Sequence, residues 1–149
     1  MANSPDYIEL FTKTEIVAGM SPEQVRVLAD CGKEEAFASG SVLVTREDEE
    51  FDLLIVLEGK VEICTTMDDM LYRLGPGSLI GEVSFLDHKP RSAKAVACLD
   101  SRTIRFPASL LEDLEDTRPD IVAKLLRNIG GVLCQKLRST TRFAEASFV

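Results

Sequence analysis

Between Glu34 and Phe106 the chain is a succession of short β-rich runs, each closed off by turn residues, and no other feature restricts its fold as much. Runs this short, rich in β-branched and apolar residues, fit strands and are too brief for ordinary helices. The candidate strands are Glu34 to Ala38, Val42 to Thr45, Asp52 to Leu57, Lys60 to Thr66, Leu71 to Leu74, Ala93 to Cys98 and Arg102 to Phe106. Leu53 to Leu57 is apolar at every position, so both of its faces must be covered. Val61 and Ile63 alternate with Lys60 and Glu62, as in a strand with one solvated face. Many short strands with Gly and Pro punctuation point to a β-barrel or jelly roll, not to a βαβ sheet.

Helical signals flank this region. Ser4-Pro5 reads as the start of a first helix, with proline at its first position. Ser21-Pro22-Glu23-Gln24 is a capping box, and it opens a helix that places Val25, Leu28 and Ala29 on one face and stops near Gly32. After the strands, Pro107-Ala108-Ser109 opens a short helix over Leu110, Leu111 and Leu114, and Pro119 starts a longer one. In that last helix Val122, Leu126, Ile129, Leu133 and Leu137 form a stripe at the period of a packing seam, widened by Ile121, Leu125 and Val132. Gly130-Gly131 interrupts the seam, at a cost of up to about 2 kcal/mol relative to two alanines. It marks either a close helix approach or a bend. The expectation is one domain over 1–149: helical 1–32, a β-roll at 33–106 and C-terminal helices at 107–142.

At 149 residues the chain can bury about two-thirds of its unfolded surface, enough for a core of its own. No apolar run approaches the ~20 residues needed to span a bilayer, so no membrane partner is expected. The N-terminus lacks the basic and apolar pattern of a signal peptide, which places the chain in the cytoplasm, with a bacterial source favoured. A net charge of −8 opposes nucleic-acid binding. Lys124, Arg127, Lys136, Arg138 and Arg142 read as a solvated helix face. The four cysteines, Cys31, Cys64, Cys98 and Cys134, have no metal-knuckle or redox-pair spacing. Cys64 and Cys98 read as small hydrophobes within strands, and Cys31 or Cys134 as the alternative sites for a regulatory thiol. A single histidine, His88, rules out a histidine-rich metal site.

The chemistry concentrates between Gly75 and Ala97. Gly81 permits close backbone approach to a ligand. Glu82 to Leu86 fits one helical turn whose free N–H groups face an anion. Arg91, nine residues after Glu82, brings a permanent cation with a forked donor array, and Ser92 adds a hydroxyl. Taken alone, Glu82 is a first-turn acid favoured by the helix dipole, and Arg91 an arginine of a surface ion pair. Together they match a ribose phosphate, the carboxylate taking a sugar hydroxyl and the guanidinium a phosphate.

Gly81-Glu82 followed by Pro90-Arg91-Ser92-Ala93 resembles the phosphate-binding cassette, residues 81–93 here, of cyclic nucleotide-binding domains. That family includes the bacterial catabolite activator, the regulatory subunit of protein kinase A and the cyclic-nucleotide-gated channels. The resemblance spans Ile16 to Arg142 and includes Leu57-Glu58-Gly59-Lys60-Val61 and Leu74-Gly75-Pro76-Gly77. It implies a ligand, cyclic AMP ahead of cyclic GMP, and no cofactor. Glu82 would accept the ribose 2′-hydroxyl. Arg91 would pair with the exocyclic phosphate oxygens, helped by Ser92, by N–H groups of Val83 and Ser84, and by the backbone freedom of Gly81. Phe85 would fasten the cassette to the barrel, with Val83 and Leu86 also of core type. Thr140 and Thr141 resemble the helix residues that approach the base, one turn later than in catabolite activators, and read equally as ordinary solvated residues. Two departures stand out. Residues 46–51 contain no glycine and four acids, which read as a solvated turn; and Lys94-Ala95 replaces a Thr-Val pair, with Lys94 read as an outward charge.

No nucleophile–base pair or metal set is visible, so the expected role is sensing, not catalysis. Only seven residues follow Arg142, too few for a helix-turn-helix, so the signal is expected to pass to an unknown effector protein. A degenerate scaffold that binds no nucleotide and joins a protein complex is the alternative. The last helix is expected to pair two copies into a homodimer near Ile129 to Leu137, with Gly130-Gly131 allowing close approach.

Overall fold

The computed structural model describes residues 3–45, 50–65, 69–91 and 93–144, with side chains to Ser139. Helices α1 (Tyr7–Thr12) and α2 (Pro22–Asp30), separated by a 3₁₀ turn at Glu15–Val17, lead into eight strands. These are β1 (Lys33–Phe37), β2 (Val42–Val44), β3 (Leu53–Glu58), β4 (Val61–Cys64), β5 (Met70–Leu74), β6 (Leu79–Ile80), β7 (Lys94–Ala97) and β8 (Ser101–Phe106). Helix α3 (Glu82–Asp87) lies between β6 and β7, and α4 (Leu110–Glu115) and α5 (Pro119–Ala144) follow β8. The strands form two four-stranded antiparallel sheets, ordered β1-β8-β3-β6 and β2-β7-β4-β5. This is the β-roll with flanking helices that the strand pattern implies.

β3 explains its own lack of alternation. Leu53, Ile55 and Leu57 join one core with Phe11, Leu28, Phe106, Ile121 and Leu125, under the helices. Leu54 and Val56 join a second core with Val44, Val61, Ile63, Ile80 and Ala95, between the sheets. Period-two geometry thus sends successive side chains into two different apolar layers. At about 1.5–3 kcal/mol per buried aliphatic side chain, this strand is among the strongest single contributors to the fold.

The α2 capping box forms as its sequence implies. Gln24 N–H donates to Ser21 Oγ at 3.2 Å, and Ser21 N–H donates to Gln24 Oε1 at 2.9 Å. The first helix differs: it begins at Tyr7, because Ser4 bonds a strand instead of capping. Its N–H and hydroxyl donate to the Glu34 carboxylate at 3.1 and 2.7 Å. Strand ends fall within a residue or two of expectation, except that the two-residue β6 carries no strand signal of its own.

The last helix departs furthest. Its deeply buried row is Ile121, Leu125 and Ile129, each at most 1% exposed, whereas Leu126 and Leu137 of the expected seam are 40% and 60% exposed. Polar ties fix this rotation. Asn128 Nδ2 donates to the Ile16 and Ala18 carbonyls at 2.7 and 3.0 Å, and Lys124 Nζ donates to the Gly19 carbonyl at 2.8 Å and to Gln24 Oε1 at 2.9 Å. Lys124 therefore holds the N-terminal helices and is not simply a solvated charge. Gly130 and Gly131 sit within uninterrupted helix, and a Cβ at either would meet open space. No approach among the described residues demands them.

Among the cysteines, Cys64 is buried in β4 as expected, but Cys98 lies just beyond β7 and is half-buried. Burial pushes the Cys31 thiol up, away from the thiolate that a reactive cysteine needs. No helix among the described residues is long and apolar enough to cross a membrane.

Candidate functional site

The site begins where β6 ends. Leu79 and Ile80 pair with Ile55 and Leu54 of β3, which delivers Gly81 to the rim of the roll. Gly81 takes the left-handed conformation, φ 82°, and so turns strand into helix within one residue. α3 then anchors through Phe85, 1% exposed, packed among the helical core residues. Val83 and Leu86, of core type by sequence, are instead 57% and 38% exposed, because a six-residue helix has only one buried side and Phe85 fills it.

Arg91 is only 5% exposed although no strand or helix contains it. Its guanidinium fills the space beside Gly81: a Cβ on Gly81 would stand 1.9 Å from Arg91 Nη1. Nη2 donates to the Asp52 carbonyl at 2.8 Å. Asp52 is itself held from the other side, its carboxylate accepting from Ala108 N–H at 2.9 Å and from Arg105 Nη1 at 3.4 Å. The arginine is thus placed by the residue that precedes β3, by Gly81 and by the approach to α4.

Glu82 is also 5% exposed, and its Oε1 accepts from the Lys136 ammonium of α5. A buried carboxylate needs such a partner to offset its lost hydration. Both charged groups open on one cleft, floored by Val44, Ile63, Ile80 and Ala95 and bordered by Tyr72, Val83, Lys94 and Lys136. An apolar floor with a few converging charges is the make-up of a small-ligand site.

Five of the sequence-designated residues, Gly81, Glu82, Val83, Ser84 and Arg91, line that cleft together. Ser92 lies outside the described residues, as do the side chains of Thr140 and Thr141. Lys94 is half-buried and is among the residues that line the cleft, next to Ala95 of its floor. Lys136 is likewise a cleft residue, not part of a solvated face. Asp52 and Lys136 carry no signal in their own neighbourhoods. Only the spacing of α5, which puts Lys136 one turn before Thr140, hints at the second. Of residues 46–50, Glu50 alone is described; it is exposed and 3.8 Å from Arg105 Nη1.

The sequence profile described as the cyclic nucleotide-binding domain matches residues 34–118. The chain is 27% identical over 136 residues to the CRP-like cAMP-activated global transcriptional regulator of Mycobacterium tuberculosis, covering 89% of this chain and 59% of the relative. It spans a little over half the length of that regulator. A crystal structure of a cyclic nucleotide-binding domain from Methylobacillus flagellatus superposes with a TM-score of 0.81 at 26% identity, over 92% of this chain and 79% of the other. The catabolite activator protein of Thermus thermophilus does so at 0.76 and 26%, over 89% and 62%.

Proposed function

The chain belongs to the cyclic nucleotide-binding domain family, and from that premise we propose that it is a sensor that takes a cyclic nucleoside monophosphate into the Gly81–Arg91 cleft. The observation that carries this is the pairing of two buried opposite charges, Glu82 and Arg91, on one cleft border, with Arg91 seated against Gly81. Arg91 pairs with the exocyclic phosphate oxygens, and the N–H groups of Val83 and Ser84 face the same anion. Glu82 accepts the ribose 2′-hydroxyl. Cyclic AMP is preferred over cyclic GMP, a choice that the likeness to the cAMP-activated regulator of Mycobacterium tuberculosis supports. Ser92, Thr140 and Thr141 remain assigned to the phosphate and base ends by their place in the sequence.

The protein acts without catalysis, in the cytoplasm, and passes its signal to an effector protein. Ligand shifts the position of α5 only by its differential affinity for the two arrangements. Two copies pair through α5 near Ile129 to Leu137. The exposed Leu137 and the open space over Gly130 and Gly131 support that pairing. Light scattering at micromolar concentration, with and without nucleotide, tests it: a monomer mass in both conditions removes the dimer.

Isothermal titration with cyclic AMP and cyclic GMP tests the sensor itself. Binding is expected at micromolar affinity or better, about −8 kcal/mol. No binding of either nucleotide at millimolar ligand, with protein shown to be folded, overturns the sensor and leaves a scaffold that binds none.

A further inference from the structure

Lys136 is the point at which the last helix enters the cleft. Ile129 is the last fully buried residue of α5, and Val132 and Leu133 are partly buried against the same core. One turn further on, the Lys136 side chain turns back over α3 to the Glu82 carboxylate. The ion pair is sheltered: the Glu82 side chain is 7% exposed and that of Lys136 is 36% exposed.

Two roles for this ammonium make opposite predictions. It either competes with a ligand hydroxyl for the carboxylate or prepares the carboxylate to receive one. The geometry favours preparation. A carboxylate has two oxygens and about four acceptor positions. Lys136 takes Oε1, while Oε2 has no hydrogen-bond partner among the described residues. With one oxygen held, the planar group is fixed in rotation and the other oxygen is free to accept a hydroxyl from the cleft.

Charge favours the same role. Among the described residues that line the cleft, Glu82 stands with Arg91, Lys94 and Lys136, a formal charge of +2 from one anion and three cations, in a chain of net charge −8. Without Lys136 the sum falls to +1. An anionic ligand gains from keeping the ammonium in place, and field lines from a cleft with low-dielectric walls are focused on it.

We infer that Lys136 is a specificity-determining residue of the site: it holds Glu82 in the orientation that accepts a sugar hydroxyl, and it supplies part of the positive field that an anionic ribose phosphate meets. This rests on the nucleotide reading of the cleft. It also makes the seat of α5 a component of the binding site, since Lys136 reaches Glu82 only while the helix lies where Asn128 and Lys124 hold it.

The test is titration of wild type, Lys136→Met and Lys136→Arg with cyclic AMP and 2′-deoxy cyclic AMP, at low and high salt. Lys136→Met is expected to weaken cyclic AMP about tenfold, the scale of one charge-assisted hydrogen bond. It should also shrink the preference for the ribose over the deoxyribose form and flatten the salt dependence. Lys136→Arg is expected to stay within about threefold of wild type, because it keeps the charge and the donor. If circular dichroism shows Lys136→Met unfolded, Lys136→Gln replaces it and is read by the same outcomes. Wild-type binding with unchanged or tighter affinity in the neutral variant overturns the inference alone, and a tighter value makes Lys136 a competitor. Absence of wild-type binding overturns the nucleotide reading and the inference together.

Discussion

Replacing Gly81 by alanine tests the packing that places Arg91. Two costs are legible. At φ 82° an L-residue enters the left-handed region, which costs about 1–2 kcal/mol. The new Cβ would also stand 1.9 Å from Arg91 Nη1, so the guanidinium must leave. Leaving breaks its bond to the Asp52 carbonyl, a hydrogen bond from a charged donor worth about 1.5–3 kcal/mol. Gly81→Ala should therefore lose about 3–4 kcal/mol in urea denaturation, a large part of the ~5–15 kcal/mol typical of a domain. The cycle with Arg91→Ala isolates the contact. With the guanidinium absent, Gly81→Ala should cost only the backbone part, about 1–2 kcal/mol, leaving a coupling of about 2 kcal/mol. Equal costs in both backgrounds, within about 0.5 kcal/mol, would refute the close approach of Arg91 to Gly81 as the reason for the glycine.

Arg91→Ala should weaken cyclic AMP binding by roughly 1.5–3 kcal/mol in calorimetry, and Glu82→Ala should abolish discrimination against the 2′-deoxy analogue. The rotation of α5 predicts that Leu125→Ala costs about 2–5 kcal/mol in chemical denaturation, while Leu126→Ala, one residue on, costs under about 1 kcal/mol in the monomer. Tyr7 gives a pH signature: its hydroxyl donates to the Ala29 carbonyl at 2.8 Å, and burial, with Glu34 and Asp30 nearby, raises it well above its ordinary value of 10.0. The folded state thus holds the proton more tightly, so this contribution is complete below pH 10 and falls away as pH rises past it. Urea midpoints across about pH 9 to 12 should fall less steeply in Tyr7→Phe than in wild type.

The positions of the strands, the α2 cap and the cassette are written locally. Gly40, Gly59, Gly75 and Pro107 close four of the β-runs, Ser21 and Gln24 satisfy each other's backbone within one turn, and Gly81, Glu82 and Arg91 lie within eleven residues. Short-range chemistry of this kind survives without knowledge of the rest of the molecule. Three features did not. β6 is a strand only because β3 lends it partners. The face α5 buries could not be read from an apolar arc broad enough to allow several rotations, and Asn128 chooses among them by bonding Ile16, 112 residues earlier. The cleft acquires Lys136 from across 54 residues and Asp52 from across 39. Sequence thus determined which residues of the 81–91 segment meet at one cleft, because those residues are neighbours along the chain. Tertiary structure alone decided what holds Glu82 and Arg91 in place, because their partners come from distant elements that only packing brings within hydrogen-bond reach.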